Sequence, residues 1–312
     1  SLGTMMCGAL LFAPAAVLGS FALFLVGLFI LASGGVLLQF FGNPYITALA
    51  GGDASGLLTM VIAFTPLGTS LAGPVVGSWL FAQENMHAHD LLVPYGVMGF
   101  IILLLFAIVR LQSWPPVTLP SAVKSEIRWW QVRQFRWGAL AIFGYVGAEV
   151  AVGSFLVAAA RLDRYGAMTT MSASKFVGLY WAGAMLGRFI GPWYMKKMGT
   201  TLCLAAHVVG ALIGLSIFIF FSGPVALACL VAVGYGNSIM YPTITALTLQ
   251  NTGTLAPLGS AVLCTAVAGG ALFPFLQGQL ADVIGVPHSF VIPLIGHAMV
   301  LSFVAHIQWS KA

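Results

Sequence analysis

The feature that most constrains this chain is its succession of long apolar runs. Ten can be marked, at 2–18, 20–49, 57–81, 93–111, 137–160, 172–195, 201–221, 224–249, 258–284 and 290–308. Most are near the roughly 20 residues that a helix needs to cross about 30 Å of hydrocarbon. A backbone in lipid must satisfy its own hydrogen bonds, so it spans as a helix or as part of a closed barrel. Barrel strands alternate apolar and polar residues in segments of about ten, whereas these runs are continuous. The expected fold is therefore an all-α polytopic membrane bundle with about ten transmembrane helices, the first of them short and interrupted by Pro14. Composition agrees: 60% of the 312 residues are hydrophobic and 6% charged, too few charges to clothe a soluble globule, where about 25% is usual.

The few charges set topology. The net charge of +5 is spread over short loops, so it is not a nucleic-acid patch, and cytoplasmic loops are the ones enriched in Lys and Arg. The longest polar stretch, 112–136, holds Lys124, Arg128, Arg133 and Arg136 against Glu126, with Arg110 just before it. It reads as a cytoplasmic linker between an N-terminal helical half, 1–111, and a C-terminal six-helix half, 137–312. Alternation from there puts Glu84 and Asp90 outside, Lys196 and Lys197 inside, and both termini in the cytoplasm of a cell (inner or plasma) membrane. Arg161, Arg164 and Lys175 fall outside and do not fit. The cysteines (Cys7, Cys203, Cys229, Cys264) lie unpaired in apolar runs and read as small core residues. The histidines are dispersed, and there is no phosphate loop, nucleophile elbow or paired-carboxylate motif. No metal, cofactor or enzymatic chemistry is expected.

The halves echo each other. Asn43-Pro44-Tyr45-Ile46-Thr47-Ala48-Leu49 and Tyr241-Pro242-Thr243-Ile244-Thr245-Ala246-Leu247 agree at five of seven positions with an offset of 198, and Pro74 and Pro274 recur at an offset of 200. Duplicated bundles are a transporter architecture. Pro242 lies 105 residues past Trp137, but Pro44 only 43 past the first residue. On the repeat, the first half is expected to be shorter than the second by 62 residues, two helices and their loops.

Charges within a span cost at least ~2.5–3.5 kcal/mol and are functional candidates by default. Glu149, halfway along the fifth run, is the deepest acid; it can carry a proton or serve as a structural charge paired with a neighbouring helix, for instance with Arg188. Arg188 sits in Gly183-Ala-Met-Leu-Gly187-Arg188-Phe-Ile-Gly191, whose glycines line one face as a packing stripe; its expected role is a gate or interfacial anchor. Gln39 and Asn43 share one face just before Pro44, and Asn237 with Tyr241 repeats this before Pro242. Amides donate and accept hydrogen bonds and aromatic rings offer apolar faces, a combination suited to a neutral polyhydroxylated solute. The same amides could instead bond backbone groups freed at proline kinks. Gln277 is a further candidate to face a cavity, and Asp282 reads as a loop acid.

Several stretches together resemble a known family. Leu38-Gln39-Phe-Phe-Gly-Asn43-Pro44-Tyr45 is similar to its LQxxANPY motif. Gly147-Ala148-Glu149-Val150 with Gly153-Ser154-Phe155-Leu156, Tyr180-Trp181 through Gly187-Arg188-Phe189-Ile190-Gly191, Asn237-Ser238-Ile239-Met240-Tyr241-Pro242, and Gly269-Gly270-Ala271 through Gln277 to Asp282 match in order. They resemble the fucose/proton symporter and glucose/galactose transporter family of the major facilitator superfamily. The resemblance implies twelve helices with a sugar site between two six-helix halves, and aligns the start of this chain within the third helix. It places Gln39 where fucose symporters carry an acid, the pattern of the glucose/galactose branch. Ile62 and Thr65-Pro66 replace a Gln and an Asn-Ser pair of the family's fifth helix. The expectation is a permease for a neutral hexose (glucose, galactose or fucose) working by alternating access and coupled to protons or sodium. Its sugar contacts would be Gln39, Asn43, Asn237 and Gln277. The competing expectation is a non-transporting remnant or sugar sensor of the same fold.

Overall fold

The computed structural model of the chain describes residues 1–50, 64, 68, 92–115, 128–250 and 252–309. The descriptions below concern these alone, and the side chains of Gln39 and Asn43 lie outside them. Ile62, Thr65, Pro66, Pro74 and the 57–81 run as an element also lie outside. Every regular element among the described residues is helical.

Two compact units divide the described residues, those within Ser1–Leu58 and Ser78–Ser121, and those within Thr59–Gly77 and Ala122–Ala312. In the first, α1 (Leu2–Val17) packs on α2 (Phe21–Ala50) and α3 (Leu92–Leu111). Glycine makes the approach possible: a Cβ on Gly8 would stand 2.8 Å from the Leu31 Cα, and one on Gly34 2.6 Å from the Met5 backbone nitrogen. Phe12 fills the junction, stacked 4.0 Å from the Tyr95 ring.

The second unit contains α4 (Arg133–Ala160), α5 (Thr170–Met198), α6 (Thr200–Phe220), α7 (Pro224–Asn237), α8 (Met240–Leu249), α9 (Ala256–Ala266), α10 (Gly269–Ile284), α11 (Val286–Ser289) and α12 (Val291–Trp309), with short 3-10 turns between. Helix α4 is its centre, touching α12, α10, α8, α5 and α9. Small residues let it serve so many neighbours: Gly144 meets Gly296 of α12, and Gly147 lies under the Phe273 ring of α10. Gly199, at φ 86°, links α5 to α6 through a single residue, a conformation that costs glycine little.

Seven described segments are long and apolar enough to span a bilayer: Phe21–Leu38, Leu92–Leu111, Arg133–Ala160, Thr200–Phe220, Pro224–Leu249, Pro257–Ile284 and Val286–Trp309. Large apolar side chains such as Phe29, Phe100, Ile213 and Phe275 face outward, as lipid-facing positions do. The protein is a multi-pass membrane protein. Two other expected runs differ in kind. The 2–18 run forms a helix of 16 residues, shorter than a span. The 172–195 run lies in the 29-residue α5, which includes Lys175, Arg188, Lys196 and Lys197 and is not among the seven.

Arg164, which breaks the alternation of loop charges, has a local occupation. Its guanidinium donates to Phe221 O at 2.9 Å, Ile219 O at 3.3 Å and Ser222 Oγ at 3.1 Å, at the end of α6. A cation there satisfies orphan carbonyls and the negative end of the helix dipole. Tyr165 beside it stacks 4.5 Å from the Phe218 ring and donates to Phe218 O at 2.7 Å. Burial raises the Tyr165 phenol above its ordinary range, with Arg164 opposing the shift.

Candidate functional site

The polar residues of the second unit converge on Glu149. One turn before it on α4, the Tyr145 hydroxyl donates to Glu149 Oε1 at 2.6 Å. The same oxygen lies 3.7 Å from Nη2 of Arg188 on α5, and both side chains are buried, 11% and 8% exposed. Arg188 also donates through Nε to the Ser238 carbonyl at 3.1 Å. That carbonyl is free for a covalent reason. In a continuous helix Ser238 O would accept from residue 242, but Pro242 has no N–H, and the span breaks there, with α7 ending at Asn237 and α8 starting at Met240. Arg188 thus bonds the backbone that a proline has freed, besides pairing with Glu149.

The glycine stripe seats Arg188. Gly183 faces the Tyr235 backbone, Gly187 the Ser238 side chain, where a Cβ would collide, and Gly191 the Ile239 side chain at 2.6 Å from a built Cβ. All three pack on the stretch around the α7–α8 break. Arg188 is a buried guanidinium that reaches both Glu149 and the Ser238 carbonyl.

Asn237 extends the cluster. It is fully buried, its Nδ2 donates to the Tyr180 hydroxyl at 2.7 Å, and that hydroxyl donates to the Glu149 carbonyl at 3.1 Å. On its other side Asn237 Oδ1 meets Nε2 of His297, on α12, at 2.8 Å. Gly234 lets α7 come this close to α5, because a Cβ there would strike the Tyr180 carbonyl oxygen. Tyr241, half-buried, presents its ring 6.4 Å from that of Tyr145.

Gln277 lies elsewhere on the α4 surface. Helix α10 runs alongside α4, with Gly270 near Val146, Phe273 over Gly147 and Gly278 near Phe155. Gln277 is fully buried there, and neither amide atom has a hydrogen-bond partner among the described residues. Asp282 is exposed, in the last turns of α10 rather than in a loop. A cleft of about 480 Å³ opens by the α5–α6 turn, lined by Met198, Thr200, Leu247 and Gln308 among others, and includes none of the candidates.

The structure therefore joins Glu149, Arg188 and Asn237 into one network and leaves Gln277 separate within the same unit. Reading the sequence missed Tyr145, Tyr180, Ser238 and His297 as members. Tyr145 stood four residues before Glu149, a recognisable helical pair; Tyr180 and His297 lie 57 and 60 residues from Asn237, and no local spacing marks them. Among the described residues no three His, Cys, Asp or Glu side chains gather to hold a metal. What the cluster offers is a carboxyl, a compensating guanidinium and neutral hydroxyl and amide groups, able to hold a proton and to bond hydroxyls.

No family model matches the chain. Among curated proteins it is 39% identical over 303 residues to a glucose/galactose transporter of Brucella abortus, covering 94% of this chain and 73% of that one. It is 37% identical to a putative glucose/galactose transporter of Helicobacter pylori, over 95% of this chain and 76% of that one. It is 32% identical to the L-fucose-proton symporter of Haemophilus influenzae, over 92% and 75%. Among solved structures, the outward conformation of the fucose transporter of the major facilitator superfamily superposes with a TM-score of 0.79 at 28% identity, over 98% of this chain and 81% of that one. A bacterial homologue of the iron transporter ferroportin, at 14% identity and a TM-score of 0.68, shares the fold. These relatives are transporters, not enzymes. A helical multi-pass chain with this identity and this superposition belongs to the glucose/galactose transporter and L-fucose-proton symporter family of the major facilitator superfamily.

Proposed function

We propose that the chain carries a neutral hexose, glucose or galactose before fucose, across the cell's inner or plasma membrane by alternating access, driven by a proton gradient. Gln277 carries the reading: a fully buried amide without a partner among the described residues costs about 1–3 kcal/mol, and sugar hydroxyls are the groups that would satisfy it. Asn237, and on the N-terminal half Gln39 and Asn43, would supply the other contacts. The 39% identity to a glucose/galactose transporter supports the choice of hexose, and the symporter relatives support protons over sodium. Glu149 would bind the coupling proton, with Arg188 holding the unprotonated carboxylate and releasing it as the helices move, which makes Arg188 a gate. The linker 112–136 and both termini would face the cytoplasm, with helical halves 1–111 and 137–312 rocking about the site.

The test is uptake of labelled D-galactose into proteoliposomes under an imposed pH gradient. The expected result is accumulation above empty vesicles that responds to the pH gradient, with Glu149→Gln exchanging galactose but not accumulating it. Uptake no greater than in empty vesicles, or accumulation by Glu149→Gln equal to wild type, refutes the reading. Galactose binding without flux would point to a sensor instead.

A further inference from the structure

Both ring nitrogens of His297 face acceptors. Nδ1 lies 2.8 Å from the Pro293 carbonyl oxygen, and Nε2 lies 2.8 Å from Oδ1 of Asn237. A neutral imidazole has one N–H and cannot donate to both. The Pro293 oxygen can only accept, so Nδ1 must hold a hydrogen. Two hydrogen arrangements then fit the same heavy atoms. With a second proton on Nε2, His297 donates to Asn237 Oδ1, Asn237 donates to Tyr180, and Tyr180 donates to the Glu149 carbonyl. With Nε2 bare, that nitrogen can only accept, and the Asn237 amide must turn over to offer it Nδ2. Oδ1 then faces Tyr180, whose hydroxyl donates to Asn237 and leaves Glu149. Amide oxygen and nitrogen are close in size, so the turn displaces no neighbour.

We propose that His297 is a proton-binding positioning residue: one proton gained or lost at Nε2 reverses the hydrogen-bond chain through Asn237 and Tyr180. With it turns the amide that Asn237 presents to a sugar. The proposal rests on the reading of Asn237 as a sugar contact. The proton forms one N–H bond at Nε2 and returns to water when the bond breaks. The titratable and charged groups on the elements packed against α12 are Arg133, Arg136, Tyr145 and Glu149 of α4, Cys203 and His207 of α6 and Asp282 of α10, with Tyr235 on α7 beyond Asn237. Glu149 is compensated by Arg188. His207 meets the Gly236 carbonyl and the Tyr194 hydroxyl, and a hydroxyl can donate, so a neutral ring satisfies both. His297 differs in meeting a carbonyl on one side and a reversible amide on the other. His306, on the same helix, stacks on Trp137.

The first readout needs no transport. In protein with ¹⁵N-labelled histidine in lipid nanodiscs, titrated from about pH 8 down to about pH 3 because burial disfavours the charged ring, one imidazole is expected to keep hydrogen on Nδ1 throughout and to gain it on Nε2 toward acid. His297→Gln should delete that signal; if that variant does not fold, replacing the other five of the six histidines isolates it. A His297 ring that keeps one protonation state, or a neutral ring with hydrogen on Nε2, overturns the proposal. The second readout is D-galactose exchange at equal pH on both sides. Wild-type KM is expected to change by up to about tenfold per pH unit across the titration, the limit for one linked proton. His297→Gln, whose amide can donate without titrating, should flatten that profile. An unchanged KM profile in His297→Gln overturns the proposal. Absence of exchange in the wild-type protein counts against the permease reading, and the imidazole titration still decides the reversal.

Discussion

Replacing Arg188 by Met tests what holds the cluster together. The change removes a guanidinium whose Nη2 lies 3.7 Å from Glu149 Oε1 and whose Nε caps the carbonyl that Pro242 leaves open. At 3.7 Å the Coulomb attraction is roughly 4–5 kcal/mol for an effective dielectric constant near 20, and desolvation of both ions offsets much of it. The asymmetry decides the outcome. Deleting one member of a buried pair leaves an uncompensated charge and costs about 3–5 kcal/mol, to which the Ser238 carbonyl adds about 1–3 kcal/mol. Arg188→Met is therefore expected to be severely destabilised, with Tm lowered by on the order of 10 °C. Arg188→Met combined with Glu149→Gln removes both charges and should recover the first contribution, leaving the carbonyl's cost. The measurement is thermal unfolding of the four proteins of this cycle in identical lipid nanodiscs at one scan rate, because unfolding of such proteins is a rate process. A double variant no more stable than Arg188→Met alone, with coupling below about 0.5 kcal/mol, would show that the two charges do not sense each other.

Gln277→Leu should raise stability by about 1–3 kcal/mol, since it removes two buried polar atoms without described partners, and should abolish galactose uptake; a variant neither stabilised nor inactive contradicts the site. Gly234→Ala places a Cβ against the Tyr180 carbonyl oxygen and is expected to cost about 1–3 kcal/mol by overpacking, read as a lower Tm together with weaker galactose binding. Arg164→Gln loses hydrogen bonds to the Ile219 and Phe221 carbonyls at the end of α6 and to Ser222 and should lower stability by about 1–2 kcal/mol while leaving KM for galactose unchanged, which exchange kinetics would reveal.

Much of this protein was legible in one dimension, because a bilayer imposes one-dimensional rules. A span must be long and apolar wherever its neighbours lie, so the runs at 93–111, 137–160 and 201–221 coincide with α3, α4 and α6 within a few residues. Glu149 stood out because a carboxyl in such a run is costly, and the stripe of Gly183, Gly187 and Gly191 was visible because helical period alone puts them on one face. The tertiary structure decided the partners. Arg188 meets the carbonyl of Ser238, 50 residues away at the proline break after α7, only when α5 is laid against that stretch. Arg164 looked like a misplaced topology signal until the end of α6 came within reach of it. His297 had no distinguishing neighbour in sequence; its meaning arises from two acceptors brought to its two nitrogens by different helices. Hydropathy is a property of each residue and survives in the sequence. Hydrogen-bond complementarity is a property of pairs, and only the fold brings the pairs together.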